Sequence, residues 1–168
     1  VQVRELEFAH RVFAILAETG MDPQRLELEL TESVLMANSE STASTLQTLR
    51  SKGVQVALDD FGTGYSSLSY LQKFPVDCLK IDQSFIRQIG AVGAESTLVT
   101  AIIDMAHTLG LRVVAEGVQT RQELQFVKDG GCDEGQGHYF SWPLTASGFA
   151  ERLAEQDGAI APSGSPPV

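Results

Sequence analysis

The chain has 168 residues, 43% of them hydrophobic, and a net charge of −10 from 12 basic against 22 acidic side chains. That is enough apolar material for one core and one domain, and the acidic balance excludes a duplex-binding face, which needs clustered basic residues. No stretch approaches the roughly 20 apolar residues of a membrane span, nothing at the start reads as a signal peptide, and two cysteines, Cys78 and Cys132, form neither a disulfide framework nor a zinc spacing, so a reducing cytoplasm is expected.

One unit recurs along the chain: an amphipathic helix, a glycine, a short apolar strand, then polar residues. Phe8, Val12, Ile15 and Leu16 mark one face of the first helix, Gly20 its stop and LELEL its strand. The second unit runs through Leu46 and Leu49 to Gly53 and the strand VQVAL. A helix-like SSLSYLQKF, closed off by Pro75, precedes the short strand CLKID. Leu98, Ile102, Met105 and Leu109 share a face of the next helix, which stops at Gly110 and enters LRVVAE. The last unit opens with a capping box, Thr120 to Glu123, and ends at Gly130-Gly131 before CDEGQG. Residues 1–155 are expected to form the domain, and 156–168, ending in GAIAPSGSPPV, a disordered tail.

Strands that alternate with helices, with no hairpin signal between them, predict a parallel α/β sheet. Five strands in this length suit an open sheet, whereas a (β/α)8 barrel takes roughly 250 residues.

The polar residues fall at the same place in each unit. Glu29 and Glu32 lie within and just after the first strand, Asp59 and Asp60 close the second, Lys80 and Asp82 the third, Glu116 the fourth and Gln136 the fifth. In α/β folds the carboxyl ends of the strands share the face where ligands bind, so carboxylates from separate strands converge there. Each has an ordinary structural role open to it: Glu29 facing solvent, Asp60 capping a helix, Lys80 pairing with Asp82, Glu116 merely closing a strand. The set in register is harder to explain that way, because adjacent like charges such as Asp59 and Asp60 repel unless a cation lies between them. The donors are nearly all oxygen, which suits Mg²⁺ or Mn²⁺, and His10 and His107 fall within helices, which argues against zinc. Two adjacent Asp residues suit two ions with one carboxylate bridging, and Lys80 would hold a water or a phosphate oxygen. The chemistry points to a metal-dependent phosphoester hydrolase.

The stretches LELELTES, LDDFGTGYSSLSYLQKFPVDCLKIDQSFI, VVAEGV and GCDEGQG…FSWPL also resemble, in order and spacing, the EAL domain of bacterial cyclic di-GMP phosphodiesterases, from about Phe8 to Leu153. The resemblance implies a modified (β/α)8 TIM-type barrel and a Mg²⁺- or Mn²⁺-dependent cut of one phosphodiester bond, yielding linear pGpG. It implies that Glu29 and Asp59 bind a first ion and that Asp59, Asp60 and Glu116 bind a second. Lys80 would contact the attacking water, with Lys80 and Glu116 carrying catalysis. Glu32 would steady the DFGTGYSS loop, and Asp82 and Gln136 would complete the polar surroundings of the substrate. It further implies cyclic di-GMP as ligand, a homodimer through the domain and no membrane contact from this segment.

Departures from the family pattern qualify these expectations. The family's Glu-Ala/Leu-Leu motif and its Asn ligand are absent from this sequence, so the chain is expected to be a barrel incomplete at its N-terminus, with about five strands and little activity by itself. Gln119 stands where a second Glu is common, and His138 where Tyr is usual. The alternative function is a non-catalytic module that binds cyclic di-GMP as a receptor or serves as a protein-interaction domain.

Overall fold

The computed structural model describes residues 7–36, 39–62, 73–90 and 95–160. The elements follow in order: α1 (Phe8–Thr19), a 3-10 turn (Pro23–Arg25), β1 (Glu27–Thr31), α2 (Glu32–Met36), α3 (Ser39–Arg50), β2 (Gln55–Phe61), β3 (Cys78–Ile81), α4 (Gln83–Ile86), α5 (Glu95–Thr108), β4 (Arg112–Ala115), α6 (Arg121–Asp129), β5 (Glu134–Gly135) and α7 (Ala146–Ile160). The strands form one sheet in the order β1-β2-β3-β4-β5, every neighbouring pair parallel. The helix expected over SSLSYLQKF falls mostly on residues 63–72, outside the described residues.

Period-two alternation divides the sheet into two unlike faces. Leu30, Val56, Leu58, Leu79, Ile81, Val113 and Ala115 point to the helices and join the main core with Leu46, Leu49, Val99, Ile103 and Ala106. The opposite face carries Glu29, Asp59 and Lys80 toward the carboxyl ends of the strands, and a small apolar layer of Ala57, Cys78 and Val114 below them. Burial there pushes the Cys78 thiol up to about 12, so it is an inert packing group.

At the amino ends of the strands, Arg112 on β4 donates to Glu134 of β5 (2.6 Å) and also to Glu27 of β1 (2.5 Å). In a flat sheet β1 and β4 would lie about 14 Å apart, three strand spacings, which is too far for this contact. The sheet is therefore curled with its polar face inward, as in a barrel.

Local signals act largely as expected. Gly20 ends α1 in the left-handed conformation (φ 68), and Thr120 with Glu123 forms a reciprocal capping box at the start of α6. Two helical positions differ. Ile15 (59% exposed) and Leu98 (44% exposed) lie off the buried faces; Leu16 and Ala9 seat α1, and Val99, Ile102, Ile103 and Ala106 seat α5. An apolar stripe wider than the contact leaves its margin in solvent. The backbone of α7 runs to Ile160. The Ala, Glu, Leu and Arg of AERLAE favour a helix strongly enough to carry it over the following Gly. Residues 161–168 lie outside the described residues.

Candidate active site

The site is built around an irregularity in β2. The β2–β3 register shifts between Leu58 and Phe61, and Asp60 has a left-handed backbone (φ 54), a conformation that Asp tolerates better than most residues. In a regular strand, adjacent side chains point to opposite faces. Here the alternation breaks, the Asp60 N–H donates to Asp59 Oδ1 (3.0 Å), and both carboxylates come together. One carboxylate oxygen from each of Asp59, Asp60 and Glu116 lies within 4.8 Å of the other two.

Lys80 rises into this cluster from the middle of β3, its side chain only 5% exposed. Its Nζ lies 2.6 Å from Glu29 Oε1, 2.6 Å from Glu116 Oε1 and 3.5 Å from Asp59 Oδ1. Gln136, just after β5, donates from Nε2 to the same Glu116 Oε1 (2.7 Å). One cation and one amide thus hold carboxylates contributed by three different strand ends.

The electrostatics follow from the crowding. Burial raises the Glu116 carboxyl, and the Lys80 ammonium only partly offsets it. Burial also raises Asp60, with Asp59 and Asp82 adding repulsion. Burial would lower Lys80, but its hydrogen bonds to Glu116 and Glu29 outweigh that and raise it, so it stays charged. Among the described residues Lys80 is the cation placed against these carboxylates, and the hard oxygen donors of Asp59, Asp60 and Glu116 fit a divalent cation.

The expected residues divide into three groups. Asp59, Asp60, Lys80, Glu116 and Gln136 meet directly, and Glu29 joins through Lys80 but stands outside the three-carboxylate set, half exposed. Asp82 does not serve as the partner of Lys80. It caps α4 by accepting from the Ser84 N–H (2.9 Å), and that bond, with others from the α4 backbone, overcomes burial and holds its carboxyl below the ordinary range. Glu32 is the first residue of α2 and half-buried; the loop it was expected to steady continues into residues 63–72, outside the described residues.

Sequence reasoning missed the apolar wall beside the site. His138 stacks on Trp142 (4.0 Å between ring centroids), and the two line a groove of about 920 Å³ with Phe140, Phe149, Gly117 and Gln136. The run HYFSW was the available signal.

A curled parallel sheet with three carboxylates gathered at its carboxyl ends defines a barrel-type α/β domain. Residues 2–143 match the family model of the EAL domain, and the chain belongs to that family. It is 47% identical over 138 residues to the cyclic di-GMP phosphodiesterase NbdA of Pseudomonas aeruginosa, covering 82% of this chain and 18% of that protein. Among solved structures it resembles the PaMucR phosphodiesterase in complex with c-di-GMP, at TM-score 0.83 and 36% identity over 88% of this chain and 60% of that one. It also resembles the manganese/cy-diGMP complex of Klebsiella pneumoniae BlrP1, at TM-score 0.77 and 32% identity over 83% and 36%. The five strands are thus part of a modified (β/α)8 barrel. The chain spans about a fifth of the length of the first curated relatives it matches, at 18%, 21% and 18%. Among the described residues no helix is long and apolar enough to cross a membrane.

Proposed function

We propose that the protein carrying this chain hydrolyses one phosphodiester bond of cyclic di-GMP to give linear pGpG, with Mg²⁺ or Mn²⁺ as cofactor. The observation that carries the reading is the meeting of Asp59, Asp60 and Glu116 beside the buried Lys80. The phosphodiesterase name of NbdA, the c-di-GMP complex of PaMucR and the manganese/cy-diGMP complex of BlrP1 support it.

Asp59, Asp60 and Glu116 would hold one divalent ion, and Glu29 with Asp59 a second. Such ions, when bound, polarise a phosphoryl oxygen and lower the pKa of a water. Hydrolysis places the water oxygen on phosphorus, breaks one P–O bond and leaves the proton on the departing ribose oxygen. The chain's own residues prepare this. Gln136 and Lys80 fix one oxygen of Glu116 and so orient its carboxylate. Lys80, kept charged by its neighbours, offers the only cation among the described groups pairing with this cluster, suited to the attacking water or to an anionic phosphate. Glu32, at the head of α2, would steady the segment that follows β2.

The test is Asp59→Asn in the longest natural polypeptide containing this chain. Hydrolysis to pGpG, followed by chromatography at saturating Mg²⁺, should fall by about a thousandfold or more, since a neutral amide cannot balance two divalent charges. Turnover near the parent rate would remove the assignment.

A further inference from the structure

Resting on the metal reading above, we propose that Lys80 is the resident counter-cation of this site, and that an ion on the Glu29 side binds only as the ammonium lets go of Glu29. The ammonium pairs with both Glu29 Oε1 (2.6 Å) and Asp59 Oδ1 (3.5 Å), the two carboxylates that an ion on that side would share. A divalent ion bound to the same carboxylate oxygens at about 2.0–2.2 Å would compete with the ammonium for them, and the two charges repel.

The other half of the cluster is different. Asp59, Asp60 and Glu116 gather without Glu29. Lys80 and Gln136 both take Oε1 of Glu116, which leaves that carboxylate its second oxygen. An ion there has three carboxylates to use and need not separate the Lys80–Glu29 pair. The two positions are therefore unequal by construction: the Asp59–Asp60–Glu116 position fills first, and the Glu29 position fills at the cost of moving an ammonium whose side chain is only 5% exposed. The displaced ammonium keeps Glu116, its other partner at 2.6 Å, so its path is a short swing within the cluster. Lys80 holds the carboxylates together and weakens the last ion to arrive, two effects of one charge.

Mn²⁺ titrations by electron paramagnetic resonance and calorimetry, without substrate, test this on the full chain and its Lys80→Met variant. Two unequal classes of Mn²⁺ are expected in the parent. Lys80→Met should tighten the weaker class by about tenfold or more, and by more than it changes the tighter class, because Glu29 loses its competing cation whereas Glu116 keeps its second oxygen and Gln136. A weaker class left unchanged or loosened by Lys80→Met overturns the proposal. Glu29→Gln provides a second route should the methionine variant not fold: it should abolish the weaker class alone, and loss of both classes or of neither overturns the proposal. A parent chain that binds no Mn²⁺ removes the metal reading and this proposal with it. The expected Mn²⁺ pattern without cleavage of cyclic di-GMP supports the proposal and counts only against the assigned substrate.

Discussion

Asp133 joins three elements with one carboxylate. Its Oδ2 accepts the Val113 N–H of β4 (2.7 Å) and meets His107 Nε2 in the last turn of α5 (2.9 Å), immediately before the chain enters β5. Burial alone would raise this carboxyl, but the His107 and Val113 bonds prevail and hold it below its ordinary 3.8. A carboxyl with a depressed folded pKa releases its proton more readily when native. Its contribution to stability is therefore complete above about pH 4 and disappears as pH falls through the folded value. Asp133→Asn should melt below the parent at neutral pH, and the gap should close below about pH 3 in calorimetric scans. An equal gap at both ends would assign the effect to shape instead of charge. Legibility at this scale depended on position. Asp59, Asp60, Lys80, Glu116 and Gln136 could be read as one set because strand ends converge in any parallel α/β fold. The left-handed turn at Asp60 was invisible, since it arises from a register shift against β3, a partner distant in sequence.

Among the described elements, the strap after β5 is tightly constrained at Gly137. Gly137 (φ 153) leads from Gln136 to the aromatic wall, and a Cβ built there would lie 2.2 Å from Val118 O and 2.4 Å from Val118 N. Both are backbone atoms, engaged to Tyr139 N–H and Gln136 O, and cannot give way as a side chain does. Gly110 also has positive φ, but a Cβ there meets nothing within 4 Å. Gly110→Ala should cost about 1–2 kcal/mol of backbone strain; Gly137→Ala should cost clearly more in urea unfolding and also release Gln136 from Glu116. Equal losses for the two would refute the crowding argument. Strand identity was plain from the alternation in LELEL, which puts Leu28 and Leu30 toward the helices and Glu27 and Glu29 toward the inner face. Helix faces were less plain: periodicity predicts an apolar stripe, but the neighbours decide which part of it is covered, so Ile15 and Leu98 remain in solvent.

At the scale of the molecule, two kinds of surface invite association. β1 and β5 each pair on one side only among the described strands, and Trp142 (70% exposed), Phe149, Leu144 and Leu153 line one exposed groove. Open strand edges and contiguous apolar patches both promote self-association. The 168-residue chain alone should sediment as oligomers at micromolar concentration, and Trp142→Ser with Phe149→Ser should shift it toward monomer; a monodisperse parent would contradict this. The Arg112 bridge has a different consequence, one of time. Each strand in the order β1 to β5 pairs with its neighbour in the chain, so the sheet can grow through successive short closures. The Arg112–Glu27 contact spans 85 residues and exists only after β2 and β3 have brought β1 around to face β4. A contact that forms last is absent at the folding barrier and present in the native state, so it acts on the rate of escape. Arg112→Met should leave stopped-flow refolding within about twofold of the parent while unfolding accelerates by about tenfold. The curl of the sheet is then a latch, set late and released first.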